Sequence, residues 1–210
     1  MAKEKLILFD VDGVMVDSFE EIYVYVSDLI KKQGDVEISR EEFRHFFEGN
    51  PLENISKYIQ TMPHEENVTK EDTAGFLSAY SKAKVFENGI TEVVQKLAKN
   101  NTLVVITSTL IDAVTKKISE KNLDVLFAAF LGPRAAIHKD DKIKMAIEEF
   151  GKNAEEVIFI SDTSGDILEA KKIPVKTIAV SWGYHPRETL EKVAPDVIVD
   201  SPQELLEQLS

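Results

Sequence analysis

Cysteine is absent from this chain of 210 residues, which excludes a disulfide framework, a thiolate zinc site and a cysteine nucleophile. Positive charge is scarce as well, since Lys+Arg 25 against Asp+Glu 37 leave a net charge of −12 at pH 7. Neither a basic face nor a lysine cluster is available to neutralise phosphates, so nucleic acid and anionic membrane are not expected partners. A small phosphorylated molecule stays compatible with that balance. No apolar run approaches the roughly 20 residues of a membrane span. The N-terminal stretch Leu6–Phe9 is followed at once by Asp10 and is far short of a signal sequence. A soluble, cytoplasmic protein is expected, as a monomer or homodimer. The four histidines, His45, His64, His138 and His185, lack metal-ligand spacing, which argues against a histidine metal site.

What is present is globular: 43% hydrophobic and 30% charged residues, enough for one full domain and a smaller insert. Short apolar runs recur at Leu6–Phe9, Leu103–Ile106, Val125–Leu131, Val157–Ile160, Ile178–Val180 and Val197–Val199. Runs of this length between helical patterns read as strands buried on both faces of a parallel sheet. Helical spacing marks 89–100, 110–121, 140–150, 164–173, 186–194 and 202–209, with Gly151 closing the third. The expected fold class is therefore α/β, a Rossmann-like parallel sheet with crossover helices.

The first crossover is too long for a single helix. Some 90 residues separate the first two strands where about a dozen suffice. Ser18-Phe-Glu-Glu21 matches a capping box, and Ile22, Tyr25, Val26, Leu29 and Ile30 continue a helical stripe to Gly34. Amphipathic stretches follow at 39–48, 50–61 and 69–83, with turns at Gly49-Asn50-Pro51 and Met62-Pro63. Residues 16–84 are thus expected to form an inserted helical cap, and 1–15 with 85–210 the core.

Polar groups cluster just after the strands. Asp10-Val11-Asp12-Gly13 follows the first, and residues two apart on an extended chain face the same way, towards the sheet edge where ligands bind. Ser161-Asp162-Thr163-Ser164-Gly165-Asp166 follows the fourth. Taken alone, the first is a solvated turn as readily as a site, and Asp162 a helix N-cap. Gathered at one edge, these carboxylates repel unless a cation neutralises them, and hard oxygen ligands suit magnesium. Thr107-Ser108-Thr109 after the second strand offers hydroxyls, and Lys139 or Lys142 a compact positive charge. Singly, Thr107 also reads as a helix entry and either lysine as a surface charge.

The ordered set, with FDVDGVMVDS, ITS, the Lys139 region and FISDTSGDILEA in turn, resembles the four motifs of the haloacid dehalogenase-like hydrolase superfamily. The resemblance spans almost the whole chain, and the C-terminal stretch is similar to that of phosphoglycolate-phosphatase-like members. It implies a Mg2+-dependent phosphomonoester hydrolase for a small phosphorylated metabolite of phosphoglycolate or sugar phosphate type. Asp10 would be the nucleophile that forms an aspartyl-phosphate. Asp12 would be the acid and base. Magnesium would lie on the Asp10 carboxylate, the Asp12 backbone carbonyl and Asp162. Thr107 and Ser108 would bind the phosphoryl group, Lys139 would neutralise Asp10 and substrate, and Asp166 would orient the lysine.

Some residues depart from that pattern. Ser161 stands where the family usually has glycine, Ile173-Pro174 where Ala-Gly is common, and no proline follows Lys139. Lys142 lies one turn beyond Lys139, which is favoured because Ile143 follows it at core spacing. Trp182, Tyr184 and His185 are candidates either to touch substrate or to pack a loop. Tyr23, Tyr25, Arg40, Arg44, Phe46 and Phe47 are candidates to read the substrate, the aromatics equally fitting a core of their own. Two further readings are a phosphomutase of the β-phosphoglucomutase type and a phospho-accepting signalling or interaction protein without turnover. The pair Asp162/Asp166 and the long insert count against the second.

Overall fold

The computed structural model describes residues 5–59 and 70–209. Among them, six strands form one parallel sheet in the order β5-β4-β1-β6-β7-β8. These are β1 (Leu6–Phe9), β4 (Thr102–Ile106), β5 (Ala129–Leu131), β6 (Val157–Ser161), β7 (Lys176–Val180) and β8 (Val197–Val199). All four residues of β1 are buried, as a continuous apolar strand at the centre of a parallel sheet requires. Ile7 and Phe9 join a hydrophobic cluster on one face, while Leu6 and Leu8 join another with Ile143, Ala146 and Phe159 on the opposite face.

The helices on these faces are amphipathic for the same reason. In α5 (Ile90–Leu97), Ile90, Val93, Val94 and Leu97 are buried, each worth about 1.5–3 kcal/mol relative to exposure. The others are α6 (Ile111–Ser119), α7 (Lys139–Phe150), α8 (Ser164–Ala170), α9 (Arg187–Glu191) and α10 (Pro202–Leu209). Gly151 ends α7 in the left-handed conformation at φ 60°, which glycine adopts without steric cost.

Between β1 and β4 the chain forms α1 (Phe19–Gly34), α2 (Arg40–His45), α3 (Pro51–Ser56) and α4 (Lys70–Tyr80). A short antiparallel ribbon, β2 (Val16–Asp17) with β3 (Lys84–Val85), flanks this helical segment. Ile22, Val26, Phe43, Phe76 and Tyr80 belong to the same cluster as Ile7 and Phe9, so the segment's apolar side chains are continuous with the core on one face of the sheet. Asn50 caps α3 by accepting from the amides of Leu52 and Glu53, and Pro51 fills the first helical position. Among the described residues no helix is long and apolar enough to cross a membrane.

Two expectations and one alternative reading are corrected. Val125–Leu131 is not one strand: Asp124–Leu126 is a 3-10 turn and only Ala129–Leu131 pairs with β4. Val125 is 77% exposed, because the chain is still rounding the sheet edge there. Ser18 precedes α1 but makes no capping hydrogen bond, its hydroxyl being drawn to Asp12 instead. Asp162 is not the cap of α8; Thr163 is, accepting from the Asp166 amide. The Met62-Pro63 turn lies outside the described residues.

Candidate active site

Registry brings the polar strand ends together. Phe9 pairs with Val105 on one side and Ile160 on the other, so β1, β4 and β6 end side by side. The chain leaves β1 for β4 and β5, then crosses back to β6, which makes β1 the switch point where open α/β sheets form a crevice. Asp10, Thr107 and Asp162 follow at that edge.

Asp10 is 7% exposed, and its Oδ1 accepts from the Val11 amide at 2.8 Å. Lys139, at the start of α7, places Nζ 2.9 Å from Asp10 Oδ1 and 3.0 Å from Asp166 Oδ2, and donates to the Ile106 carbonyl at 3.1 Å. Burial pushes the Asp10 carboxyl well above the usual range, more than Lys139 pulls it down. For Asp166 burial is outweighed by Lys139 and by a hydrogen bond from Ser161 Oγ at 2.8 Å, so its carboxyl is held low. Burial alone would lower Lys139, but Asp10 and Asp166 raise it above the ordinary lysine value. Ser161, the departure from the motif, thus has a definite partner. Lys142 does not reach these carboxylates; its Nζ donates to the Thr107 carbonyl at 2.8 Å.

Asp12 is held by a different set. Its Oδ1 accepts from Ser18 Oγ at 2.6 Å and Tyr80 Oη at 2.9 Å, and its Oδ2 from Thr109 Oγ1 at 2.7 Å. Burial pushes this carboxyl up and the three hydroxyls pull it down, with a net rise. Tyr184 Oη lies 3.0 Å from Ser18 Oγ, extending the network.

Asp162 is fully buried. Its Oδ2 accepts from the Tyr184 amide at 2.6 Å, while Oδ1 has no partner among the described residues. Burial raises this carboxyl to about 8. Gly13, at φ +73°, and Gly183 enclose it: a Cβ built on them would stand 1.7 Å and 2.3 Å from Asp162 Oδ2. Both positions therefore demand glycine for a close approach. A buried carboxylate oxygen left without a hydrogen-bond donor among the described residues, near Asp10 and Asp12, gives a donor set that suits a hard divalent cation.

Thr107 is fully buried, and its Oγ1 accepts from the Thr109 amide at 3.0 Å, whereas Ser108 and Thr109 line the cleft. The cleft measures about 840 Å3 with its open mouth and lies between the strand edge and the helical segment, with Asp10, Asp12, Lys139 and Asp166 on its wall.

Arg40 and Arg44 are not on that wall. Arg40 lies over Tyr23 and pairs with Glu20, and Arg44 lies over Phe19 and donates to the Tyr184 carbonyl at 3.1 Å. Phe46 is buried, while Tyr25 and Phe47 line the cleft. Trp182 donates to the Val14 carbonyl, and His185 accepts from the Ser164 amide and contacts the Arg44 carbonyl at 3.0 Å, so both pack loops. Tyr184 alone of the three reaches the cleft. His138, Asp140 and Glu169 also converge, with ligand atoms within 4.8 Å of one another. There Glu169 already accepts from His138, Asn50 and the Lys139 amide, and Asp140 pairs with Lys144 and Lys172. His45 pairs with Glu48, and His64 lies outside the described residues.

Sequence reasoning missed Thr109, Ser18 and Tyr80 as partners of Asp12. Ser18 was legible only as a helix cap and Tyr80 as one aromatic of a helix. Thr109 carried the sole signal, as the third hydroxyl of the run after β4.

A family model described as haloacid dehalogenase-like hydrolase matches residues 7–180. Phosphoglycolate phosphatase 1 of Pseudomonas aeruginosa is 22% identical over 213 residues, covering 96% of this chain and 78% of its own. The Clostridium perfringens protein named "Putative pyrophosphatase PpaX" is 27% identical over 206 residues, covering 97% of this chain and 96% of its own. A haloacid dehalogenase-like family hydrolase of solved structure from Streptococcus pneumoniae matches over 100% of both chains, with a TM-score of 0.78 at 24% identity, a likeness of fold.

Proposed function

The chain belongs to the haloacid dehalogenase-like hydrolases, and from that premise we propose that it is a magnesium-dependent phosphomonoester hydrolase acting on a small phosphorylated metabolite. The observation that carries this reading is a buried carboxylate, Asp10, with an ammonium 2.9 Å away and a buried carboxylate oxygen, Asp162 Oδ1, without a partner among the described residues at the same edge. The residues fit a hard divalent cation: Asp10, the Asp12 carbonyl and Asp162 would hold it. Bound there, it would offset the charge of the carboxylates and of the phosphoryl oxygens.

The chain's own groups then divide the work. Asp10 attacks phosphorus in line, forming the carboxylate oxygen–phosphorus bond as the ester oxygen–phosphorus bond breaks. Lys139 neutralises Asp10 and the incoming phosphoryl group, and Asp166 with Ser161 keeps the ammonium aimed. Ser108, on the cleft wall, donates to a phosphoryl oxygen, while Thr107, expected to share that contact, is buried off the wall and holds the loop by accepting from the Thr109 amide. Asp12 gives a proton to the departing oxygen and takes one from the water that hydrolyses the phosphoaspartate, a role suited to a carboxyl raised by burial. Residues 16–84 act as a cap, whose Tyr80 and Ser18 reach Asp12 and whose closure excludes water.

The test is phosphate release from p-nitrophenyl phosphate with magnesium or with chelator. Metal-dependent release that vanishes in Asp10→Asn and Asp12→Asn, both folded, is expected. Release from Asp10→Asn at the wild-type rate overturns the assignment.

A further inference from the structure

The cleft is polar at one end and apolar at the other. Its strand-edge end carries Asp10, Asp12, Ser108, Thr109, Lys139 and Asp166. Its far wall, supplied by α1, α3 and α4, carries Ile22, Val26, Leu29, Leu52, Ile55 and Phe76. Among the described residues of the lining, Lys139 is the sole basic side chain, and it is already bonded to Asp10 and Asp166. Among the described residues of the far wall, Tyr25 has the one side-chain hydroxyl. Arg44 lies over Phe19 and off the wall.

That gradient fixes which way a phosphate ester enters. Its phosphoryl end is matched at the strand edge, and whatever leaves with the ester oxygen is pressed against aliphatic and aromatic side chains. Among the described residues the wall offers a glycolate carboxylate or a second phosphate no counter-charge, and sugar hydroxyls only Tyr25 as a side-chain hydrogen-bond partner. An alkyl or aryl group would instead gain burial.

We infer that the substrate is a monophosphate ester of an apolar alcohol or phenol, its leaving group seated among Leu29, Leu52, Ile55 and Phe76. This rests on the hydrolase reading above for turnover, but recognition can be measured without it.

The first measurement is calorimetric titration of the full chain with magnesium and non-hydrolysable phosphonates. n-Hexylphosphonate and phenylphosphonate should bind at least about tenfold more tightly than phosphonoacetate, the range that a few methylenes supply in an apolar pocket. Equal or reversed affinities overturn the inference. Leu29→Arg should narrow or invert the preference by giving the wall a cation; an unchanged preference in the folded variant counts against the assigned seat.

Turnover separates the two claims. Higher kcat/KM for n-hexyl and phenyl phosphate than for phosphoglycolate, glucose 6-phosphate and pyrophosphate supports both. Preferred cleavage of any of those three polar esters and anhydrides sinks the apolar seat and leaves the hydrolase standing. Tight hexylphosphonate binding with no phosphate released from any ester supports the seat and sinks the hydrolase.

Discussion

The ammonium of Lys139 lies between Asp10 and Asp166, 2.9 Å from one and 3.0 Å from the other. All three side chains are nearly or fully buried, so one cation neutralises carboxylates that follow two different strands. Removing it leaves buried negative charge without a partner. Lys139→Met is expected to cost about 3–5 kcal/mol of stability and to abolish phosphate release. Urea unfolding at pH 7 checks the first part; a loss below about 1 kcal/mol would mean that the carboxylates find another partner or simply protonate.

Asp12 depends on hydroxyls from three separate parts of the chain. Tyr80→Phe deletes one donor while keeping the ring in its cluster, and should lower stability by about 1 kcal/mol. If that hydroxyl positions the acid and base, kcat falls roughly tenfold with little change in KM, and the acidic and basic limbs of the kcat profile shift. A change confined to KM would place Tyr80 in substrate binding instead.

Gly13 has both a left-handed φ of +73° and a virtual Cβ 1.7 Å from Asp162 Oδ2. Gly13→Ala must therefore displace the Asp162 carboxylate as well as strain the backbone, at a cost of about 1–3 kcal/mol. Thermal melts with and without magnesium should show a lower Tm and a diminished metal response. A wild-type metal response in this variant would remove Asp162 from the proposed ligand set.

Magnesium binding to the folded chain alone should raise its stability, by about 2.7 kcal/mol at one hundred times Kd. Asp162→Asn is expected to erase that increment, whereas Asp140→Asn should retain it. The opposite pattern would move the cation to the His138, Asp140 and Glu169 group.

Lys142 supplies a pH test. Burial, and next the charge of Lys139, lowers its ammonium to about 7, against roughly 10.4 in an unfolded chain. A depressed folded value means that the unfolded chain holds the extra proton between those limits. Stability should therefore rise with pH from about 7 towards 10, the penalty being complete below 7. In Lys142→Met that rise should flatten. Urea midpoints measured across this range decide it, and parallel curves for the two proteins would show that the folded ammonium is not depressed.

Much of the core was legible because its physics is local. Continuous apolar runs marked β1, β4, β6, β7 and β8, and 3.6-residue spacing marked α5, α6 and α7, since a strand buried on both faces and a helix buried on one must be written that way. Where two signals competed, reading failed. Ser18 has the composition of a cap and spends its hydroxyl on Asp12. Val125 extends an apolar run but sits exposed at a turn.

The sequence by itself determined the α/β class, the long first crossover and the acidic ends of β1 and β6, because periodicity and strand-end chemistry are properties of neighbours along the chain. It also supplied Asp10, Asp12, Lys139, Asp162 and Asp166 as candidates. Only the tertiary structure decided that Lys139 rather than Lys142 meets the carboxylates, that Asp12 is held by Ser18, Tyr80 and Thr109, and that Arg44 stays off the cleft wall. Those facts depend on distances between groups as far apart in the chain as Asp10 and Lys139. A hydrogen bond is made wherever folding brings donor and acceptor within about 3 Å, and no spacing along the chain encodes that meeting.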